Sequence, residues 1–173
     1  MKKTLFLSAI CLMVFSSASA QDKKYPKPQK DNVVYLYDKD KNSTTELETP
    51  KMTTDRRHVG IWGNESVMVI PGVSSNVRIS KMTNPQFLIH FNPENANPGA
   101  ECMLNYCEVK GQREYVDSKS GAHGTAKQAG TEINFAKVGS GLYLLTLPIA
   151  ANTGEYFFLI TSTNEAFAFG LER

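Results

Sequence analysis

The stretch that decides the fold is YFFLIT at residues 156–161. Side chains alternate between the two faces of a β-strand, and here both sets of alternate side chains are predominantly apolar. A strand that is apolar on both faces belongs in the middle of a packed sheet. QFLIHF at residues 86–91 has a similar pattern, so the sequence predicts two such central strands.

Outward from these two strands, the chain consists of short runs rich in Val, Ile, Tyr and Phe, separated by Gly, Asn, Asp and Pro. No segment sustains a helical period, and runs of this kind are typical of strands. We therefore predict one all-β domain over residues 32–173, with a sandwich-like or barrel-like antiparallel fold. The predicted strands are Val33–Tyr37, Thr45–Glu48, Val59–Trp62, Ser66–Ile70, Asn76–Ser80, Gln86–Phe91, Cys102–Val109, Arg113–Val116, Glu132–Val138, Leu142–Leu147, Tyr156–Thr161 and Ala166–Phe169.

The N-terminus has the pattern of a secretory signal peptide over residues 1–20. Lys2 and Lys3 come before an apolar stretch at residues 4–15, and SSASA at residues 16–20 ends in the A-x-A pattern that precedes cleavage. The apolar stretch is too short for a permanent membrane anchor. Residues 21–31 are charged and contain prolines, which predicts a flexible arm. We therefore expect an exported protein, either periplasmic or extracellular.

Net charge argues against nucleic acid as a partner. Removal of Lys2 and Lys3 with the signal peptide leaves 17 Lys and Arg against 17 Asp and Glu. Nucleic-acid binding needs clustered positive charge, which a neutral chain without a basic run does not provide.

No second apolar stretch of about 18 residues follows, so we expect no transmembrane anchor. Residues 139–141 (GSG) come before a predicted strand, which indicates a turn, and we expect no cofactor.

Two cysteines remain after residue 20, Cys102 and Cys107. A disulfide between them is one alternative in an oxidising compartment, and it requires a bend at Asn105. If residues 102–109 form one straight strand, the two side chains lie on opposite faces, with Cα atoms about 16 Å apart. A disulfide needs a Cα separation within about 7 Å. The spacing therefore favours two buried free thiols.

The longest connection between predicted strands is DSKSGAHGTAKQAGT at residues 117–131. This connection contains three glycines, three alanines and no bulky apolar residue, so it has no large apolar side chain to bury in a core. Long connections of this kind are either functional or mobile, and we expect a mobile loop.

One pattern suggests a metal ion. Asp38, Asp40 and Asn42 match the opening of a calcium-binding loop, in which alternate oxygens coordinate the ion. Ser43 and Thr49 then stand where that loop has Gly and Glu. A polar turn between two strands explains the same residues without an ion.

The histidines offer little support for nucleophilic catalysis. His58, His90 and His123 are far apart in sequence, and no G-x-S-x-G motif is present. His90 falls in a central apolar strand, where a buried and hydrogen-bonded histidine is expected. His58 follows two arginines at a strand start, where charge protects a sheet edge. We assign no catalytic residue.

Three aromatic residues are candidates for binding a partner. Tyr35 and Tyr37 share one face of the first predicted strand, and Trp62 lies near a likely sheet edge. Exposed planar rings suit a sugar or a protein partner. The alternative is that Tyr35 and Tyr37 form the inward face of an amphipathic strand.

Several short motifs resemble those of a group of small exported bacterial proteins of unknown function. The motifs are G-x-x-S-x-V-R-I at residues 72–79, NPQF at residues 84–87, GEY at residues 154–156 and FAFG at residues 167–170. The similarity extends over about residues 33–171. The resemblance implies a single β-rich domain and no particular activity.

Four residues of these motifs are expected to have structural roles. Gly72 and Gly154 precede strands, where a positive φ or a close backbone approach is plausible. Arg78 and Glu155 are charges within apolar strands, and a buried charge needs a partner. We predict that they are satisfied within the fold, most simply by each other.

The sequence favours a non-enzymatic binding or interaction module of the cell envelope, with an unknown protein or glycan as its partner. The alternative is a hydrolase of envelope polymers, or an inhibitor of one. A deep polar pocket that holds a histidine and a carboxylate would favour the enzyme. An exposed aromatic patch or an uncovered edge strand would favour the binding module.

Overall fold

A computed structural model describes residues 24–60, 62–81, 84–94, 96–121, 124–127, 130–148 and 151–173. The signal peptide predicted over residues 1–20 and His123 lie outside the described residues. In the described part of the chain, no helix has the length and apolar character to cross a membrane.

Strands of two sheets make up most of the described chain. The first sheet has the order β10-β11-β6-β1-β2, and the second has the order β3-β4-β8-β7-β12-β13-β5, with β9 paired to β8. The elements are β1 (Val34–Asp38), β2 (Ser43–Glu46), β3 (Thr53–Val59), β4 (Gly63–Ile70), β5 (Arg78–Ser80), β6 (Gln86–His90), α1 (Pro98–Glu101), β7 (Cys102–Val109), β8 (Arg113–Gly121), β9 (Gly124–Lys127), β10 (Asn134–Lys137), β11 (Leu142–Thr146), β12 (Gly154–Ile160) and β13 (Glu165–Glu172). Neither sheet closes on itself, so the all-β prediction is confirmed as a sandwich.

The two strands predicted to be central are central. β6 lies between β11 and β1, and β12 lies between β7 and β13. Their inward side chains meet in the core, where the Phe87 ring lies 4.9 Å from Phe158 and 5.1 Å from Phe169, centroid to centroid. Burial of such rings is the largest source of stability in a domain of this kind.

The outer face of the first sheet is covered by the chain that precedes it. The ring of Tyr25 packs on Tyr37 at a centroid distance of 5.5 Å, and Pro28 is buried. Lys30 pairs with Glu46 at 3.0 Å. Residues 24–31 therefore lie against the sheet, although the sequence predicted a flexible arm there. Local composition could not show this packing because the apolar surface that covers these residues comes from strands later in the chain.

Cys102 and Cys107 are both free thiols, as the spacing favoured. Both belong to β7, and they join different apolar clusters because they face opposite sides of the sheet. Burial raises the pKa of Cys107 to about 12 and also raises that of Cys102, so both thiols stay protonated at neutral pH.

One end of the second sheet extends beyond the packed core, and two predictions fail there. Of the segment predicted as strand Val59–Trp62, Val59 ends β3 and the other described residues, Gly60 and Trp62, lie in the turn before β4; the rest of β3 was not predicted. The connection predicted as a mobile loop over residues 117–131 instead extends β8 to Gly121 and contains β9. We call residues 53–66 and 118–127 the wing, and the rest of the two sheets the body.

A β-bulge marks the boundary of the wing. The register between β4 and β8 shifts between Ser66 and Val67, so that Ser66 pairs with Ser118 and Val67 pairs with Val116. Bulges bend a strand and increase its local twist. No described residue of the wing is buried. The wing is therefore held by strand pairing and surface contacts rather than by a core of its own.

Candidate functional site

The tip of the wing carries an exposed apolar pair. Trp62 is 82% exposed and Val59 is 50% exposed, and both belong to the turn region between β3 and β4. Gly60 has a φ of +64°, which allows the chain to reverse there. Burying a tryptophan against a partner removes a large apolar area from water, so this tip is suited to binding.

The wing also ends in an uncovered strand. β3 stands at one end of the strand order, and its seven residues are mostly exposed on both faces. Among the described residues, only β4 pairs with it. Its outer edge therefore presents backbone N–H and C=O groups to solvent, although its charged residues protect that edge against uncontrolled pairing, as the sequence predicted for the segment around His58.

On one face of the wing, basic side chains are neutralised by ion pairs, one of them with the body. Arg57 donates two hydrogen bonds to the carboxylate of Glu114 in the body, at 2.6 and 2.8 Å. This paired guanidinium holds the pKa of Glu114 below its ordinary value. On the same face, Lys119 lies 4.0 Å from Glu65. The Arg57–Glu114 pair is thus a charged contact that ties the wing to the body.

Seven side chains of the opposite face line a hollow of about 660 Å³, and the carboxylate-bearing Glu65 also lines it, whereas Lys127 does not. Strand register places two rows of side chains on this face. One row contains His58, Asn64, Ser120 and Thr125, and the next contains Arg56, Ser66, Ser118 and Lys127. Neither row contains a carboxylate or an apolar side chain. In the part of the chain that the structure describes, Arg56 and Lys127 have no ion-pair partner.

Tyr35 and Tyr37 share a face, as predicted, but neither is available to a partner. Both are buried on the outer face of the first sheet. The Tyr37 hydroxyl donates to the Asn42 side chain at 3.0 Å, and the Tyr25 ring covers Tyr37. The interpretation of these two residues as a binding surface is therefore wrong, whereas Trp62 is exposed.

The calcium-like pattern is a polar turn between β1 and β2. One carboxylate oxygen of Asp38 accepts hydrogen bonds from the backbone N–H groups of Asp40 and Lys41, each at 3.0 Å. Asn42 has a φ of +50°, and its side chain binds Tyr37 and the carbonyl of Lys24. Two of the three candidate side chains therefore stabilise the turn. Among the described residues, no cluster of three or more His, Cys, Asp or Glu could hold a metal ion.

His90 is the buried, hydrogen-bonded histidine that the sequence predicted. Its Nδ1 atom lies 2.7 Å from a carboxylate oxygen of Asp31. Its other ring nitrogen lies against the backbone of Gly141, where an added Cβ would be only 3.1 Å from Nε2. This histidine–carboxylate pair therefore has the composition of a catalytic dyad but no room for a substrate beside Nε2.

One pair of carboxylates also invites comparison with a hydrolase. Glu108 and Glu114 lie opposite each other on β7 and β8 and line a hollow of about 100 Å³. Glycoside hydrolysis needs one carboxyl group with a raised pKa. Here Arg57 lowers the pKa of Glu114, and Lys110 pairs with Glu108 at 2.6 Å. This arrangement favours ion pairing over general acid catalysis.

Arg78 and Glu155 pair with each other, as the sequence predicted. They lie on β5 and β12, on either side of Gly170 in β13. A Cβ at residue 170 would overlap the Arg78 guanidinium, so glycine at this position lets the side chain cross the intervening strand. Arg78 also binds Glu172 at 2.8 Å, and the Ser75 N–H donates to Glu155 at 2.7 Å.

A second ion pair with one fully buried member lies on the same outer face of the second sheet. Arg113 is 1% exposed, and its guanidinium binds Glu48 at 2.7 and 3.2 Å and the carbonyl of Pro71 at 2.8 Å. Burial is the largest single effect on Glu48 and raises its pKa, but the hydrogen bonds and charge of Arg113, together with hydrogen bonds from Ser75 and Asn76, outweigh it and hold the pKa below its ordinary value. These pairs connect β5, β8, β12 and the segment after β2, and they are structural in character.

The two motif glycines have the structural roles predicted for them. Gly72 has a φ of +80° in the turn after β4. Gly154 has a φ of +150°, and a Cβ there would lie 2.6 Å from the Tyr106 ring. The Tyr106 ring therefore rests directly on the backbone at the start of β12.

Comparison of the chain with protein-family models, curated proteins and solved structures gives no match. The resemblance to small exported bacterial proteins therefore stays a prediction.

Sequence reasoning missed most of the wing surface. It identified Trp62 and the edge-protecting charges, but not the polar face that β9 completes. One signal was available, because glycines at positions 121 and 124 separate two short runs without bulky apolar residues, SKS at residues 118–120 and TAK at residues 125–127, which is typical of an exposed hairpin.

Proposed function

We propose that this chain is an exported, non-enzymatic binding module that contacts its partner in the cell envelope through the wing. The observation that carries the proposal is a sheet extension in which no described residue is buried and whose tip carries the exposed Trp62. Ordering such strands contributes little to the core, so their persistence is better explained by recognition than by stability.

Two further observations support this function. The outer edge of β3 is uncovered, and an exposed aromatic residue stands beside it, which are the two features expected of a binding module. The His90–Asp31 pair is closed off by backbone, and the facing carboxylates Glu108 and Glu114 are held in ion pairs. An inhibitor of an envelope hydrolase would be one case of such a module. Export rests on the signal-peptide pattern at residues 1–20.

The test is site-specific photo-crosslinking of the mature chain in cell envelopes. A photoreactive residue at position 62 is compared with one at position 73, because Val73 is similarly exposed to Val59 but lies outside the wing. We expect a discrete adduct from position 62 and none from position 73. Equal labelling from both positions, or no adduct from position 62, would contradict the proposal.

A matched pair of substitutions checks the same surface without a crosslinker. Val59 is 50% exposed in the wing and Val73 is 55% exposed in the body, so Val59→Ser and Val73→Ser remove similar apolar area. We expect Val59→Ser and Trp62→Ala to weaken co-purification with the crosslinked partner, and Val73→Ser to leave it unchanged.

A further inference from the structure

The polar face of the wing has a composition that suits one class of ligand. Its two rows contain three basic side chains, four hydroxyl groups and one amide: Arg56, His58, Lys127, Ser66, Ser118, Ser120, Thr125 and Asn64. Every member can donate or accept a hydrogen bond, and none is acidic or apolar; the Ser120 hydroxyl already donates to the Asn64 carbonyl at 3.2 Å. Interfaces between proteins have apolar residues at their centre, and this face has none.

The positive charge on this face is available to a ligand. Arg56 and Arg57 are adjacent on β3 but point to opposite faces of the sheet. Arg57 is neutralised by Glu114, whereas Arg56 has no ion-pair partner in the described part of the chain. Arg56 and Lys127 stand at the two ends of one row, with Ser66 and Ser118 between them. Four strands span about 14 Å at the usual spacing, so two separated cations flank a hydroxyl-lined floor.

We propose that this face binds an acidic polysaccharide, whose anionic groups pair with Arg56 and Lys127 while its hydroxyl groups hydrogen-bond to the serines, Thr125 and Asn64. The hollow of about 660 Å³ is lined by every member of the two rows except Lys127, which lies beside it at the end of its row, and it gives room for several sugar units. Glu65 also lines the hollow, and Lys119 lies 4.0 Å from its carboxylate. The inference rests on the proposed function, because it names the ligand of the same wing. Nucleic acid is a poorer fit, since base stacking needs aromatic rings, which neither row contains.

The anionic groups of such a polymer are either carboxylates or phosphates, and the two sources can be separated. Calorimetric titrations of the mature chain would use three probes: an oligogalacturonate, its fully methyl-esterified form and a phosphorylated mannose oligomer. We expect binding of at least one charged oligomer and none of the ester. Binding of galacturonate alone assigns carboxylate recognition, and binding of the phosphorylated oligomer alone assigns phosphate recognition.

Three charge-removing variants locate the site. We expect Arg56→Gln and Lys127→Gln each to weaken binding about tenfold, because each removes a charge-assisted hydrogen bond. Lys119→Gln removes the same charge from the opposite face and should leave affinity unchanged. Circular dichroism of each variant shows whether the fold is retained. Ser118→Glu is a second probe that places a repelling carboxylate on the floor and should abolish binding.

Two results would overturn the inference: failure of both charged oligomers to bind, or equal weakening by Lys119→Gln and Arg56→Gln. Equal binding of galacturonate and its methyl ester would also overturn it, because charge would then be irrelevant. If these titrations fail while position 62 still gives its crosslinked adduct, the inference fails and the proposed function stands. If both fail, the wing is not a binding surface.

Discussion

The wing is an extension of the second sheet, and it is stabilised in a different way from the body. In the body, β12 presents buried side chains on both faces, and its aromatic rings pack within 4.9 to 5.7 Å of neighbouring rings. In the wing, no described residue is buried, and a bulge in the pairing of β4 with β8 marks its boundary on those two strands. If the sheet served stability alone, β4 and β8 could end at the bulge. The difference indicates that the body provides stability and the wing provides a surface.

The buried arginine of the body gives the largest expected effect. Arg113→Gln leaves the carboxylate of Glu48 and the carbonyl of Pro71 without their partner. Removing one partner of a buried ion pair typically costs about 3–5 kcal/mol in unfolding free energy. Arg56→Gln in the wing should change it by less than about 0.5 kcal/mol. Urea denaturation of both variants measures this contrast, and similar losses would contradict the division between body and wing.

Two glycines give the next contrast. Gly170→Ala should lower the unfolding free energy by about 2 kcal/mol, because the new Cβ displaces Arg78 from buried Glu155. Gly121→Ala in the wing should be close to neutral, since a Cβ there meets no atom within 4 Å. In an Arg78→Gln background, Gly170→Ala should have a smaller effect, and a thermal double-mutant cycle measures that coupling. Strict additivity would show that Gly170 does not serve the Arg78–Glu155 pair.

Acid should weaken the Arg57–Glu114 contact between the wing and the body, and also the Arg113–Glu48 pair within the body. The pKa values of Glu114 and Glu48 are lowered in the fold, so the folded state favours their ionised forms. Their stabilisation is therefore fully present above the ordinary glutamate pKa, about 4.3, and is lost as the pH falls through the lowered values. Urea unfolding between about pH 3 and pH 7 should show this decline, and Glu114→Gln should flatten it. Glu165→Gln, at an exposed site, should leave the curve unchanged.

The same contrast explains how much of the molecule could be predicted. Strands of the body were predicted from their own residues, because burial on one or both faces leaves an apolar pattern; β7 agrees with its prediction at both ends. β3 and β9 have no such pattern, since TTDRRHV and GTAK contain almost no apolar residue. Their pairing depends on β4 and β8, which continue past the bulge. Local sequence does not contain that information.

For the charged and aromatic residues, too, some features could be predicted from local sequence and others could not. The pairing of Arg78 with Glu155 was predictable because each stands alone in an apolar strand. The bridge across Gly170 was not, because it depends on the order β5-β13-β12. Trp62 was recognised as a candidate from its position near an edge, whereas Tyr35 and Tyr37 had the same chemistry and are covered by residues 24–31. Exposure of an aromatic residue depends on segments distant in sequence.

The smallest expected effect on stability is at the tip of the wing, and it discriminates most directly between stability and recognition. Trp62 is 82% exposed, so Trp62→Ala removes almost no area that folding buries, and the unfolding free energy should change by less than about 0.5 kcal/mol. A core aromatic residue such as Phe158 is the matched comparison, since its truncation typically costs about 3–5 kcal/mol. Thermal melts of the two variants measure both values. If Trp62→Ala destabilised the chain by more than about 1 kcal/mol, the ring would be packing within the fold, and the exposed tip would no longer support a binding function. If stability is unchanged while the crosslinked partner is lost, Trp62 serves recognition alone.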